Sequence, residues 1–319
     1  MRVLIISKKM NKKCYFFIDD TIWVFRDLTR QRPASLFDNP FLKLMKEAHD
    51  KYGMKVQLNL FYRTDFFYGE DEFSLAEMTD AYKAEWEEAS DWLKFGVHAK
   101  QEFPDYPYIN ADYETVKTNL DKTKKEVFRF AGENSFTYGC CSHWLPVSKE
   151  GVKALRDGGI RLLDCSSGEK TEYTGDPDSL PYGHSFRLLH NRKPETMLYN
   201  RGGLNKAIAN SICGYNHLTE EEAEKYRFSI GAIYDEETDM YFREFTNAPT
   251  LNLCDEDYVV KGIEKNIGKE YIGYATHEQY FYPDYLNYQS DYSAKVLAAA
   301  KTLYENGYEY FFIDEMLNK

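Results

Sequence analysis

Short apolar runs alternate along the chain with segments whose apolar residues recur every three or four positions. The runs predict buried strands, and the periodic segments predict amphipathic helices. The predicted strands are Cys14–Ile18, Lys55–Tyr62, Phe95–His98, Phe136–Gly139, Arg161–Cys165, Tyr271–Thr276 and Tyr310–Ile313. The predicted helices are Asn39–Tyr52, Leu75–Ser90, Tyr113–Phe130, a helix capped by Ser148 that runs through Arg156, Tyr258–Ile267 and Tyr292–Glu305.

The alternation of strands and helices determines the predicted architecture. Strands that are separated by helices pair in parallel, so the pattern predicts the α/β class. Roughly seven or eight such units predict a single deformed, seven- or eight-stranded (β/α) barrel over residues 1–319. The pattern loosens between about residues 166 and 250, where we expect a long insertion on the catalytic face with one helix near Thr219. A doubly wound open sheet is the alternative, but the chain has no glycine-rich nucleotide-binding motif.

Composition and charge exclude several classes of partner. The formal net charge of −12 argues against a nucleic acid or an anionic membrane as partner. No run of about 18 apolar residues predicts a transmembrane helix, and the apolar N-terminal run is too short for a signal peptide. We therefore expect a cytoplasmic protein. The 27 tyrosines offer flat apolar faces with hydroxyl groups, which suit sugar rings as well as a large core.

The cysteines do not indicate a disulfide framework. None of the six belongs to a C-x-x-C pair, so we expect buried thiols. The segment Cys140-Cys141-Ser142-His143 also contains metal-ligand residue types. Because adjacent cysteines do not easily point at one ion, the thiol interpretation is favoured.

Titratable side chains follow three of the predicted strands. Asp19 and Asp20 end the first strand, His98 ends the third, and His277 and Glu278 end the sixth. In a parallel barrel these strand ends meet on the catalytic face. Adjacent residues of an extended chain point to opposite sides, so we expect the two aspartates to do so. Burial of a bare carboxylate at such a place is costly.

A divalent cation would remove that cost for one aspartate and leave the other as a base. His98 and Glu102 have the i, i+4 spacing that lets one ion bind both, and Asp20 completes a set of one imidazole and two carboxylates. This set suits zinc, and also manganese, iron or nickel. The structural alternatives are one capping and one solvated aspartate, and a histidine that is hydrogen-bonded in the core.

Three segments resemble motifs of the polysaccharide deacetylases. They are Phe16-Phe17-Ile18-Asp19-Asp20-Thr21, similar to a T-F-D-D-G motif, Phe95-Gly96-Val97-His98 with Glu102, similar to a metal-binding H-x-x-x-H motif, and Tyr274-Ala275-Thr276-His277-Glu278, similar to a strand that ends in histidine. With the helix and strand pieces between them, the resemblance covers most of the chain and is weakest between residues 166 and 250.

The resemblance implies a deformed (β/α) barrel and a metal-dependent hydrolase that deacetylates an N-acetylated sugar. It implies that Asp19 is the general base and that His277 is the general acid. It also implies that Asp20 and His98 bind the metal, with Glu102 in the position of the family's second histidine ligand.

The expected substrate contacts surround these residues. The aromatic segment after His277 contributes Glu278, Tyr280 and Tyr282, and Arg63 and Trp144 lie near the other motifs.

The chain departs from the family pattern at two further places. Thr21 replaces a glycine, and the segment Tyr138–Trp144 lacks the arginine that would orient the catalytic aspartate. Arg63, Arg187 and Arg201 are candidates to replace that arginine.

Two other functions stay open. A glycoside hydrolase needs two opposed carboxylates, for which Asp19 or Asp20 would pair with Glu278 or Asp314. A non-catalytic carbohydrate-binding barrel is favoured by Glu102 and by the absent arginine. All three interpretations predict a carbohydrate partner, and none defines the oligomeric state.

Overall fold

The computed structural model describes residues 12–65, 72–103, 107–108, 111–145, 147–165, 211–212, 232–235, 238–244 and 248–318. The helix predicted near Thr219 lies outside these residues.

Parallel strands and intervening helices make up most of the described chain. The strands are β1 (Lys13–Thr21), β2 (Val56–Phe61), β3 (Leu93–Ala99), β4 (Gly139–Cys141), β5 (Val147–Ser148), β6 (Leu162–Cys165), β7 (Ser211–Ile212), β8 (Ile233–Asp235), β9 (Met240–Glu244), β10 (Tyr271–His277) and β11 (Glu309–Tyr310). The α-helices are α1 (Trp23–Gln31), α2 (Pro40–Tyr52), α3 (Lys83–Ala89), α4 (Tyr113–Phe130), α5 (Lys149–Asp157), α6 (Glu256–Glu264) and α7 (Tyr292–Glu305).

The pairing orders the strands into an arc. One sheet has the order β10–β1–β2–β3, with β11 also paired to β1, and a second has the order β4–β6–β9–β8. A parallel bridge between Phe95 and Phe136 joins β3 to the segment before β4, and Thr250 bridges to Ala275 of β10. The chain that leaves β9 therefore reaches the opposite edge of the arc. The predicted α/β class with parallel strands is confirmed, whereas closure of the barrel and its strand number stay predictions.

Part of the stretch predicted as an insertion carries a sheet strand. β9 pairs in parallel with β6, with Asp164 opposite Arg243, and β8 pairs with β9 in the antiparallel direction. The sequence pattern indicated short strand-like pieces in this stretch, but not that one of them pairs within the parallel sheet.

β1 is buried on both faces, as expected for a parallel strand that is covered by helices. Cys14, Phe16 and Ile18 belong to the large core shared with the helices. Tyr15 and Phe17 pack in a smaller cluster on the other face of the sheet. By alternation, Asp19 continues this second face at the carboxyl end of the strand.

Helix α2 closely matches the helix predicted at Asn39–Tyr52. The Asn39 side chain accepts hydrogen bonds from the backbone N–H groups of Phe41 and Leu42, and Gly53 ends the helix with φ 66°. Helix α1 was not predicted, because Ile22, the N-cap residue that precedes it, supplies no side-chain cap.

Other boundaries differ from the prediction in specific ways. The helix expected at Leu75–Ser90 is a 3₁₀ turn at Leu75–Glu77 followed by α3, because Met78 leaves helical geometry with ψ 129°. The strand expected at Tyr310–Ile313 covers only Glu309–Tyr310.

Candidate metal and active site

The end of β1 departs from regular strand geometry at both aspartates. The register of β1 against β2 shifts between Ile18 and Thr21, and Asp20 has a φ of 58°. This left-handed conformation costs a non-glycine residue about 1–2 kcal/mol. Asp19 Oδ1 lies 4.0 Å from His98 Nδ1, and Asp20 Oδ1 lies 3.1 Å from His98 Nε2. Both carboxylates therefore lie beside one imidazole, and the expectation that they point to opposite sides is wrong.

His143, which follows β4, approaches the same point. Its Nδ1 lies 3.1 Å from Asp20 Oδ1 and 3.1 Å from His98 Nε2. With the Asp20–His98 distance, these atoms form a triangle whose edges are all 3.1 Å. When metal–ligand distances are near 2.1 Å, neighbouring ligands are about 3.0 Å apart in an octahedron and about 3.4 Å apart in a tetrahedron. The three donor atoms therefore fit a divalent cation.

The backbone determines which ring nitrogens face the triangle. His98 Nδ1 lies within hydrogen-bond distance of the Cys141 carbonyl, and His143 Nε2 lies 3.0 Å from the Glu102 carbonyl. A carbonyl only accepts, so these nitrogens carry hydrogens. In the neutral rings, the lone pairs of His98 Nε2 and His143 Nδ1 are thereby directed toward Asp20. Such outer hydrogen bonds orient metal-binding histidines.

The buried charges favour a cation at this point. Burial opposes ionisation of Asp20, but the charge of His143 and hydrogen bonds from both histidines hold its pKa well below the usual range. Burial likewise opposes protonation of His98, yet the adjacent Asp19 and Asp20 raise its pKa. Protons on the imidazoles and a metal ion are thus alternative sources of the positive charge that the site attracts.

Glu102, the predicted third ligand, takes a different place. Its Oε2 accepts a 3.4 Å hydrogen bond from Gln279, and its backbone carbonyl holds His143. Among the described residues, the two groups of potential ligands with donor atoms within 4.8 Å are Asp20, His98 and His143, and Asp19, His98 and Cys141. The structure thus brings His143 rather than Glu102 to Asp20 and His98. The sequence signal for His143 was the segment Cys140-Cys141-Ser142-His143 with its metal-ligand residue types, which the thiol interpretation had set aside.

Cys141 is a poor ligand despite its proximity. Burial raises the pKa of its thiol well above the usual value, and Asp19 adds a like charge. Metals bind the thiolate form. Cys14, Cys140, Cys141 and Cys254 are free cysteines, as expected for thiols without disulfides.

Asp19 lies beside His98 Nδ1, the ring nitrogen that is not part of the triangle. Its Oδ1 accepts a 2.6 Å hydrogen bond from Asn59 Nδ2. Burial raises the pKa of Asp19, although the charges of His98 and His277 oppose this rise.

His277 ends β10 on the other side of Asp20. Its Nδ1 lies 3.0 Å from Asn252 Oδ1, which also accepts from Thr276. Nδ1 therefore carries a hydrogen, and Nε2 lies 3.9 Å from Asp20 Oδ2. The following Gln279 donates to the same Asp20 oxygen at 3.2 Å.

Two predicted substrate contacts have structural partners instead. Glu278 is fully buried, and its carboxylate accepts from the backbone N–H groups of Ile22, Trp23 and Val24 at the start of α1. Burial raises the pKa of Glu278 to about 7, against the lowering effect of these hydrogen bonds. Tyr282 is buried and donates to Glu278 Oε1 at 3.1 Å.

The other predicted contacts lie closer to the triangle. The Tyr280 ring is buried at 6.2 Å from the His277 ring, and the Trp144 ring lies 5.8 Å from the His143 ring. Arg63 donates to Gln101 at 2.6 Å. A pocket of about 10 Å³, the space of one water molecule, adjoins the site and is lined by Asp20, Ile22, Trp23, Phe61, Arg63, Thr64, Asp65, Glu102 and Gln279.

Sequence reasoning did not identify a further buried carboxylate, Asp164 of β6. It pairs in register with Cys141 on one side and with Arg243 on the other. Neither of its oxygens has a hydrogen-bond partner within the described part of the chain. Burial raises the pKa of Asp164 well above the usual value, with Arg243 opposing the rise.

Comparison with known proteins supports the fold and does not assign a family. No protein-family model matches the sequence, and no curated protein matches it. The fold is similar to that of a 4-α-glucanotransferase from Thermococcus litoralis, with TM-score 0.51 and 13% identity over 97% of this chain. This chain spans 40% of that protein.

Deacetylases are also among the similar solved structures. A deacetylase designated T48 has TM-score 0.41 and 10% identity, covering 97% of this chain and 92% of its own. A family 4 acetyl xylan esterase from Clostridium thermocellum has TM-score 0.42 and 9% identity, covering 96% and 91%. These scores are below the glucanotransferase score, on which the fold similarity rests.

No α-helix in the described ranges combines the length and the apolar character that a membrane crossing requires.

Proposed function

We propose that this protein is a metal-dependent hydrolase that removes an acetyl or similar acyl group from a substituted sugar. The observation that carries the proposal is the triangle of Asp20 Oδ1, His98 Nε2 and His143 Nδ1, with equal edges of 3.1 Å. The proposed ligands are these three residues, and zinc, manganese, iron and nickel all accept such a donor set.

A divalent cation held there would polarise a carbonyl and lower the pKa of a bound water. Asp19 is the proposed proton acceptor. The Asn59 amide fixes one of its oxygens, and burial keeps its basicity above that of an exposed aspartate.

His277 is the proposed proton donor to the leaving group. Asn252 holds the hydrogen on Nδ1, so the nitrogen that exchanges protons is Nε2, on the side of Asp20. The acceptor and donor thus belong to the adjacent strands β1 and β10, with Asp19 opposite His277 in register.

The alternative function, a glycoside hydrolase with two opposed carboxylates, is not supported by the positions of Glu278 and Asp314. Both Glu278 oxygens bind the start of α1, and Asp314 accepts from the backbone N–H of Tyr138, before β4 begins. Neither side chain is available as a second carboxylate opposite Asp19 or Asp20.

Acetate release from N-acetylglucosamine oligomers by chelator-stripped protein, with and without added Zn²⁺ or Co²⁺, tests the proposal. We expect metal-dependent release that Asp19→Asn lowers by about 100-fold or more, since a proton acceptor contributes about that much. This variant should still bind the metal, because Asp19 is not one of the proposed ligands.

Asp314→Asn is the matched control, because it alters a carboxylate at the other end of the sheet. Full activity of Asp19→Asn would refute the role of Asp19, and release of shortened sugar chains without acetate would favour the glycoside hydrolase. Sugar binding without metal and without turnover would favour the non-catalytic barrel.

A further inference from the structure

Asp20 is held in a conformation that its own segment does not explain. Its φ of 58° lies in the left-handed region that residues with a Cβ rarely adopt. Helix α1 begins directly afterwards, yet Ile22 offers no side-chain hydrogen bond to the helix start. The Thr21 hydroxyl donates to the Ile18 carbonyl at 3.1 Å across this turn, but the start of α1 has no cap of its own, so its cap must come from another part of the chain.

Glu278 supplies that contact from the far end of the chain. Its Oε2 accepts from the N–H groups of Ile22 and Trp23 at 2.7 and 2.8 Å. Its Oε1 accepts from Val24 N–H at 2.7 Å and from the Tyr282 hydroxyl at 3.1 Å. Three of the four hydrogen bonds on this buried carboxylate connect the end of β10 to the start of α1, and the fourth comes from Tyr282 on the β10 side. The N-terminal dipole of α1 adds to the attraction for this negative charge.

The neighbours of Glu278 contact Asp20 directly. Gln279 donates to Asp20 Oδ2 at 3.2 Å, and His277 Nε2 lies 3.9 Å from the same oxygen. Three consecutive residues thus act together. His277 and Gln279 contact the Asp20 carboxylate, and Glu278 anchors the backbone that follows Asp20. Asp20 Oδ1 is left directed at the two histidines.

We propose that Glu278 is a positioning residue for the metal centre, which aims the Asp20 carboxylate by anchoring the start of α1; this inference rests on the metal-dependent function proposed above. It assigns a role that differs from the substrate contact expected from the sequence. A residue that only caps a helix would affect stability alone, whereas a positioning residue affects metal affinity as well.

Helix α2 provides the matched comparison. Its cap, Asn39, is also buried, and its Oδ1 accepts from the N–H groups of Phe41 and Leu42 at 3.0 and 3.2 Å. In contrast to α1, its start does not follow a proposed ligand. Asn39→Ala therefore removes a buried helix cap without disturbing Asp20.

The test is calorimetric titration of the chelator-stripped full chain with Co²⁺, together with the absorption spectrum of the bound cobalt and the melting temperature. Glu278→Gln keeps the size of the side chain and loses acceptor capacity. We expect it to lower cobalt affinity by about tenfold or more, the range for outer contacts of metal ligands, and to alter the cobalt spectrum. Asn39→Ala should lower the melting temperature and leave affinity and spectrum unchanged.

Each other outcome is decisive. Parent-like affinity and spectrum in Glu278→Gln, or an equal loss of affinity in Asn39→Ala, would overturn the positioning role. If the parent binds no cobalt, the proposed function itself fails. Should Glu278→Gln not fold, Tyr282→Phe, which removes one of the four hydrogen bonds, replaces it. That variant should lower the affinity by about twofold to threefold, and an unchanged affinity would overturn the inference.

Discussion

The two sides of the candidate site are built differently. The ligand face, formed by Asp20, His98 and His143, brings three donor atoms within 3.1 Å of one another. The β10 side, formed by His277, Glu278 and Gln279, approaches Asp20 at 3.2–3.9 Å. The first side has the geometry of coordination, and the second has the geometry of hydrogen bonding and proton exchange.

The two sides also differ in the hydrogen bonds that orient their imidazole rings. Backbone carbonyls of Cys141 and Glu102 orient the imidazoles of the ligand face, so the fold itself sets them. A side chain, Asn252, orients His277. A side chain can change its rotamer, whereas a main-chain carbonyl is fixed by the fold. An imidazole held by one side chain can therefore change its orientation more easily than one held by the main chain. This difference suits a ligand set on one side and a proton donor on the other.

The largest effect is expected on the ligand face. Replacement of His143 by alanine removes one of three donor atoms, and we expect cobalt affinity to fall by more than about 100-fold, beyond the range for outer contacts. Calorimetric titration of the chelator-stripped protein measures this change.

Glu102→Gln is the matched variant, because it preserves the backbone carbonyl that holds His143. Its affinity should fall by less than about tenfold. A larger loss in Glu102→Gln than in His143→Ala would restore Glu102 as the third ligand, as the sequence spacing predicts.

A smaller effect is expected on the β10 side. His277→Ala should lower the proposed deacetylation by about 100-fold through loss of the proposed proton donor, while cobalt affinity stays within about threefold. Asn252→Ala, which frees the ring without removing it, should lower the rate by about tenfold. Steady-state rates and titrations with cobalt measure both quantities. An equal loss of metal affinity in His277→Ala and His143→Ala would erase the distinction between the two sides.

The sequence predicted those parts of the molecule that local signals specify. Asn39 and Gly53 define the ends of α2 within the helix's own segment, and an unbroken apolar pattern gave the bounds of α4 at Tyr113–Phe130. Helix α1 escaped prediction because its cap, Glu278, lies 254–256 residues away in sequence from the N–H groups it binds. No window of local sequence contains that contact.

In the candidate site too, the residues that a local signal marks were predicted and the others were not. Asp19, Asp20, His98 and His277 were predicted because each ends a recognisable strand, and the structure places them together. His143 was set aside together with the adjacent cysteines of the segment 140–143, and the i, i+4 spacing drew attention to Glu102 instead. Both aspartates lie beside His98 because of the φ of Asp20, which the alternation of strand side chains does not encode.

The smallest effect concerns Asp164, which lies behind the ligand face beside Cys141. Because burial raises its pKa well above the usual value, the folded protein keeps a proton that the unfolded chain loses above about pH 4. Stability must therefore fall as the pH rises from there toward the folded pKa, by at most about 1.4 kcal/mol per pH unit. Asp164→Asn cannot ionise, so it should lose less stability than the parent between pH 5 and pH 8 in denaturant titrations.

Asp164→Asn needs a control for the pH dependence of stability and a measurement of cobalt affinity. Asp112→Asn alters an exposed carboxylate that caps α4 and whose pKa is lowered by its hydrogen bonds to Thr115. Asp112 is ionised in both states over that pH interval, so its replacement should not change the slope. Cobalt affinity of Asp164→Asn should match the parent, since Asp164 belongs to neither side of the site. If this variant instead loses affinity as His143→Ala does, the ligand face extends to β6, and the contrast between a coordinating side and a hydrogen-bonding side must include a third strand.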